Sequence, residues 1–355
     1  VGNNAPTSQL RSTWALLALI ITLLVLLGLS FVLSLSFGSV AYSREQVWQV
    51  VLAHLRGEPV ADTSLDAVIW QLRAPLGLLA LLVGAGLALS GVAMQTLVRN
   101  PLADPYLLGV ASGASVGATA VLTFGLFSSL GVYALSGGAL IGALAATASV
   151  YAITRLQGGF HPLQLILTGV VMSSAFSAAA SFLVFKGPDP RAAQSVMFWL
   201  LGSVAGANFS KLIIPGVVLV IAALIMLAVH RNLDALMAGP DVAASLGVRV
   251  DAMRQLLFVI QALLVGAMVA VAGGIGFVGL VIPHVGRLLV GSLHARLIPV
   301  VMLCGALFLL WVDVLARIAA PPQEIPLGVV TGVLGAPLFL ILMGRKTLRF
   351  QGGQA

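Results

Sequence analysis

The chain has 355 residues, of which 60% are hydrophobic and 8% charged, and a formal net charge of +7. Soluble domains carry about 25% charged residues, so composition excludes a soluble protein and points to a polytopic one, with room for roughly ten spans of ~20 apolar residues each. The positive charge is read by position, since cytoplasmic loops of membrane proteins collect Lys and Arg; no nucleic-acid partner is expected, and the single cysteine, Cys304, allows no disulfide within one chain.

The first apolar run, Trp14 to Phe37, is followed by Ser39-Val40-Ala41 in the manner of a cleavage site. It outruns the roughly 7–15 residues of a signal-peptide core and is read as the first span. Ser43-Arg-Glu-Gln46 has capping-box spacing, and Val47, Val50, Val51 and Leu55 follow at helical spacing before Gly57. That pattern predicts an amphipathic helix along the membrane surface. The second span runs from about Leu76 to Val98, and the charge-free stretch Tyr106 to Thr154 divides into two near Ser128-Ser129. A fifth span follows His161-Pro162 and ends near Phe185. Later spans are expected at Leu212 to Val229, Gln255 to Ala272, a short helix kinked by Pro283, Ile298 to Leu315, and Leu327 to Met343.

Ala192 to Ser210 decides the topology. If it is re-entrant there are ten spans, and an inner N-terminus leaves Arg44, Arg56, Arg73, Lys186, Arg191, Lys211 and Arg317 outside, so that 11 of the 18 Lys and Arg lie inside. If it spans there are eleven, and an outer N-terminus leaves only Arg11, Arg99, Arg155, Lys211 and Arg317 outside, with 13 inside. Charge counting favours the second arrangement slightly. Both put Arg231 to Arg254, Arg287 to Arg296 and the C-terminal tail in the cytosol.

Arg231 to Arg254 is a polar connection between two apolar runs, too long for a hairpin turn and too short for a domain. Gly239-Pro240 breaks it into two short helical pieces. Asp241 is placed to cap the second, Val242 to Leu246, and Gly247 to end it. The segment reads either as a docking surface for another protein or as an ordinary ordered loop.

Other motifs fail on context. Gly113-Ala-Ser115-Val-Gly117 matches a nucleophile elbow but lacks its strand-to-helix turn and acid partner; an intramembrane hydrolase would need His161 or His284 as base. Gly274-Ile-Gly276-Phe-Val-Gly279 matches a dinucleotide fingerprint without a βαβ unit, and reads as a tight reversal between helices. Lys186, Lys211 and Lys346 are not preceded by glycine, so no Walker A loop exists. Asp313 is the one acid well inside a span, and Arg317 follows at ion-pair spacing. The scarcity of mid-span carboxylates counts against a secondary transporter driven by protons or sodium. Ser174, Ser177 and Ser181 share a helix face that suits either back-bonding in lipid or the border of a wet cavity. The stripes Gly84/Ala88/Gly91, Gly138/Gly142/Ala146 and Gly328/Gly332/Gly335 favour close helix packing.

Seven blocks together resemble one family: Gln71-Leu-Arg73-Ala-Pro75; Gly91-Val-Ala-Met-Gln95; Arg99 to Ala114; Phe198-Trp-Leu-Leu-Gly202-Ser; Asp241 to Val248; Gly276 to Arg287; and Pro326 to Pro337. They look like the permease subunits of ABC importers for iron chelates, haem and cobalamin. The resemblance covers nearly the whole chain, in order. It implies a single transmembrane permease domain over 1–355: all-α, about ten spans, a short outer re-entrant helix at Ala192 to Ser210 and two short cytosolic coupling helices. It also implies a multi-pass protein of the bacterial cytoplasmic membrane, working as a homodimer with two ABC ATPase subunits and an extracytoplasmic substrate-binding protein. The chain itself would be no enzyme and would bind no cofactor, ATP and Mg belonging to the partner subunits. By the same resemblance Asp241, Ala243, Ala244, Leu246 and Gly247 couple to the ATPase. Ser174, Ser177, Ser181, Gly328, Thr331, Gly332 and Gly335 line the path, and Arg73 and Arg317 dock the binding protein. The family's Arg-Leu-Pro-Arg is here Arg73-Ala-Pro75-Leu76, so the second contact is either weaker or supplied from elsewhere, with Arg56 the candidate. An iron chelate such as haem or a ferric siderophore is the expected cargo, with cobalamin the alternative.

Overall fold

Backbone N–H and C=O groups in lipid must be satisfied within the protein, and this chain meets the demand mainly with helices. The computed structural model describes residues 13–351 apart from Ser39, Phe160 and Pro322. The expected inner charges Arg11, Arg345, Lys346 and Arg349 have side chains outside the described set. α1 (Thr13–Ser34) leads to α2 (Arg44–Arg56) and α3 (Thr63–Asp66), and a π-helical stretch, Ala67–Arg73, joins α3 to α4 (Ala74–Val98). There follow α5 (Val110–Phe124), α6 (Ala134–Leu156), α7 (Pro162–Lys186), α8 (Pro190–Leu200) and α9 (Ile213–Ala228). The two short pieces α10 (His230–Ala238) and α11 (Pro240–Ser245) precede α12 (Val250–Ala272), α13 (Val278–Val290), α14 (His294–Ile318) and α15 (Leu327–Gln351).

Among the described residues seven helical stretches are long and apolar enough to cross a membrane, and the shorter apolar helices α5, α13 and α15 make ten. α8 has 11 residues, roughly 16 Å at 1.5 Å per residue, about half the ~30 Å hydrocarbon core. α8 is not among the ten apolar helices, which agrees with the ten-span arrangement rather than the eleven that the charge count favours. The predicted capping box closes α2, with Ser43 accepting from the Gln46 amide and Gln46 reaching back to Ser43. Val47, Val50 and Val51 pack against Leu35, Leu65 and Ile69 while Trp48 and Leu55 stay exposed. One expectation fails locally: α11 starts at Pro240, two residues early, so Asp241 lies in its first turn and makes no side-chain cap. Proline's fixed φ suits that first helical position.

α4 is the central helix, buried almost throughout. Two of its glycines are points where other backbones touch it. A Cβ built on Gly84 would stand 2.2 Å from the Gly305 carbonyl oxygen of α14, and one on Gly91 1.9 Å from that of Gly279 in α13. α5 and α6 meet in the same way, Gly113 against Gly142 and Gly117 against Gly138.

Short helices leave a 3-10 turn before α5 and irregular backbone before α13, and the side chains of Gln261 and Tyr106 bond to them. Gln261 of α12 donates to the Pro105 carbonyl at 2.6 Å. The Tyr106 hydroxyl donates to the Ile275 carbonyl at 3.0 Å and accepts from the Ile275 amide at 3.1 Å. The glycine-dense reversal is thus a junction: Ser203 donates its amide to Ala272, Leu327 to Gly202, and Gly328 to Leu201. The segment after α8, the segment after α12 and the start of α15 are stitched together there. Phe277, at φ 67°, takes the left-handed turn into α13.

Candidate functional site

The Arg231–Arg254 connection has an anchored half and a presented half. α10 buries Leu233, Ala235 and Leu236. Gly239, at φ 138°, turns the chain, and α11 stands outward on the buried Ala243 alone. Asp241 and Ala244 are exposed, as are Val242 at 45% and Leu246 at 67%. Gly247 ends the piece in the left-handed region at φ 80°. Val242 and Asp241 on this six-residue helix, with Leu246 just past its end, make a small knob that a partner can grip.

The sequence did not single out what holds the anchored half. Asp234 Oδ1 lies 2.6 Å from His294 Nδ1 and accepts the His294 amide at 2.9 Å. His294 Nε2 lies 2.9 Å from Thr96 Oγ1 on α4, and His294 and Thr96 are both buried at 2% exposure. Burial pushes the Asp234 carboxyl upward, but the hydrogen bonds from His294, helped by electrostatic attraction to His294 and His230, outweigh it and hold the group below the ordinary carboxylate range. At the same end of α4, Arg287 of α13 donates to Gln95, whose amide donates to the Gly279 and Leu280 carbonyls.

Ser174, Ser177 and Ser181 lie on the exposed face of α7. Ser174 and Ser181 bond back to Val170 and Ser177 carbonyls, while Ser177 donates to Ser112 at 3.3 Å, which in turn lies 3.1 Å from Ser173. Beside them a cavity of ≈ 350 Å³ opens between α5, α7 and α8, lined by Ser115, Thr119, Ser177 and Ser181 among apolar groups. Ser115 donates to the Ala111 carbonyl of its own helix at 2.8 Å, the ordinary behaviour of a packing serine. The α15 residues divide. Gly328 is pressed against the Leu201 and Gly274 carbonyls, Gly335 against the Phe277 ring, and Thr331 is fully buried. Gly332 alone of the four has open space.

The arginines divide too. Arg56, at the end of α2, is exposed. Arg73 and Arg317 are each 5% exposed and engaged within the chain. Arg73 donates to the Leu35 and Val40 carbonyls and lies over the Tyr42 ring. Arg317 contacts Asp313 at 2.7 Å, out of line for a hydrogen bond between those two atoms, and donates to Phe37 at 3.0 Å. Both border a small cleft of ≈ 220 Å³ with Tyr42 and Glu324.

A model of the FecCD transport family matches residues 23–345. Over 321 residues the chain is 38% identical to the molybdate import system permease protein MolB of Haemophilus influenzae, covering 90% of this chain and 94% of that protein. It is 36% identical over 337 residues to the hemin transport system permease protein HmuU of Yersinia pestis, covering 93% and 96%. A solved structure described as a metal-chelate type ABC transporter in an inward-facing conformation superposes with a TM-score of 0.81 at 36% identity, covering 92% of this chain and 99% of that one. The ten apolar helices, the short α8 and the α10–α11 segment accord with that likeness. The chain belongs to the FecCD transport family and is a multi-pass permease subunit of an ABC importer.

Proposed function

We propose that two copies of this chain form the membrane path of an importer for an iron chelate, haem or a ferric siderophore, which an extracytoplasmic binding protein delivers. Two separate ATPase subunits grip α11 and drive the bundle between outward-open and inward-open states. The observation that carries this reading is the α10–α11 segment, which roots one helix in the core and presents Asp241, Val242 and Leu246 on the other. Ala243 seats the knob, and Ala244 and Gly247 shape its exposed edge.

The path runs along the serine face of α7 and past Gly332, the open position among the four α15 residues; Gly328, Thr331 and Gly335 serve the packing of α15. Arg56 meets acidic groups of the binding protein, and Arg73 and Arg317 shape the neighbouring outer cleft. The hemin permease relative supports an iron chelate, and the hydroxyl-lined, mostly apolar cavity suits a bulky, weakly polar cargo. Cobalamin fits the same chemistry.

The test is ATPase stimulation in the reconstituted complex by binding protein loaded in turn with haem, ferric citrate, cobalamin or molybdate. Haem or ferric citrate should stimulate; stimulation by cobalamin or molybdate alone overturns the cargo. Leu246→Glu should release the ATPase subunits while the chain still inserts. Cargo accumulation by the chain in vesicles without any ATPase would make it a secondary transporter instead.

A further inference from the structure

We propose that Asp234, His294 and Thr96 form a latch that carries movement of the coupling segment into the α4–α14 pair. The proposal rests on the coupling role given to α10 and α11 above. Each residue comes from a different element: Asp234 from α10, His294 from the first turn of α14, and Thr96 from the last turn of α4. They are 60 and 198 residues apart in sequence and meet at hydrogen-bond distance.

One carboxylate oxygen does two jobs. It faces His294 Nδ1 at 2.6 Å, and it accepts the His294 backbone N–H at 2.9 Å, so α10 caps the start of α14. A carboxylate at a helix N-terminus is favoured by the unpaired amides and the helix dipole there. The Thr96 hydroxyl also lies 2.8 Å from the Val92 carbonyl of its own helix. With Nδ1–H given to Asp234, that hydroxyl either turns its one proton to Nε2 or, beside the imidazolium, keeps it on Val92 and accepts from Nε2–H. Either way the ring is held at both nitrogens.

The remaining attachments of α10 include Leu233 and Leu236 in the core. Apolar contact is non-directional and allows sliding, whereas hydrogen bonds fix distance and angle. The latch is therefore the part of this joint that sets register. What it grips is stiff, because α4 and α14 touch backbone to backbone where Gly84 meets Gly305. The far end of α14 carries Asp313 and Arg317, and Arg317 holds the Phe37 carbonyl after α1. A push on α10 thus reaches the outer end of the bundle through one rigid pair of helices.

The test uses the complex with its ATPase subunits in lipid nanodiscs, with Cys304→Ser as background and spin labels at Leu126→Cys and Ala320→Cys, both exposed positions on outer loops. ATP is the probe. It should shift the label-to-label distance in the background complex. The shift should survive Thr96→Ser, which keeps the hydroxyl. It should be lost in Thr96→Val, which keeps the shape, and in His294→Phe, with the ATPase subunits still co-purifying. A full-sized shift in both Thr96→Val and His294→Phe overturns the latch, and Thr96→Val alone decides if His294→Phe does not fold. A background complex that holds its ATPase yet shows no shift with ATP overturns the coupling reading itself, and the latch with it.

Discussion

α4 and α7 are both 25-residue helices rich in Gly, Ala and Ser, yet they sit in opposite surroundings. α4 is buried almost from end to end, while α7 buries only Leu165, Thr168, Gly169 and Ala180. In α4 neighbouring backbones press in at Gly84 and Gly91, and the side chains of Phe31 and Met268 at Gly77 and Gly86. In α7 the small and hydroxylated residues form an exposed face beside a cavity. Composition is thus a poor guide to which span is an axle and which is a wall. What separates them is how much of the helix is covered: neighbours fill the notches all along α4, whereas in α7 the backbone of Leu107 and Leu108 fills the notch at Gly169 and leaves the serine face open.

The largest effect expected from that contrast is a matched pair of glycine substitutions. Gly84→Leu would drive a side chain into the Gly305 backbone. Overpacking typically costs about 1–3 kcal/mol and more where side chains cannot give way, and here the obstacle is main chain. No monodisperse protein should be recovered in detergent. Gly28→Leu in α1, where a Cβ meets nothing within 4 Å, should leave yield and elution profile unchanged. Equal behaviour of the two would break the distinction between packed and open small residues.

Next in size is the buried pair at the outer end of α14. Arg317→Leu strands Asp313 at 2% exposure, and removing one partner of a buried ion pair costs about 3–5 kcal/mol. Asp313→Leu with Arg317→Leu should recover most of that loss, as read by thermal unfolding in detergent. The sequence carried this pair in full, because i, i+4 contacts on one helix follow from spacing alone. It also carried the ten apolar helices, the Ser43 capping box and the break at Gly239-Pro240. The α4–His294–Asp234 connection could not be read, since its members come from three elements and no local pattern marks them. The Gly328/Gly332/Gly335 stripe was legible as small residues, but not that Gly328 and Gly335 are filled by Leu201, Gly274 and Phe277 while Gly332 stays open. Burial of Arg73 was equally hidden, because its acceptors are the carbonyls of Leu35 and Val40 rather than an acidic side chain.

A third pair of variants sharpens the contrast on the exposed side. Ser177→Phe should fill the cavity between α5, α7 and α8 and lower uptake about tenfold, an effect of about 1.4 kcal/mol. Expression and ATPase binding should persist. Leu24→Phe, on a face of α1 that is equally exposed but wholly apolar, should leave uptake alone. If both substitutions act alike, the serine face is lipid-facing and forms no part of a path.

The smallest effect expected is a pH dependence at the inner end of α4. Asp234 titrates below the ordinary carboxylate range in the folded protein, so the folded state favours its ionised form. A group whose folded-state value is depressed contributes stability above its unfolded value, about 3.9 for Asp. It loses that contribution as pH falls through the folded value. His294 and His230 are the charged or titratable neighbours that act on it. Between pH 5 and 8 Asp234 stays ionised, so its own ionisation should add no slope to stability, and Asp234→Asn should lower the melting temperature throughout that range. Below about pH 4 the two proteins should converge, because protonation does to the parent what the amide does to the variant. A gap that stays constant down to pH 3 would mean that the carboxylate's charge is irrelevant to the joint, and that Asp234 holds α14 by hydrogen-bond geometry alone.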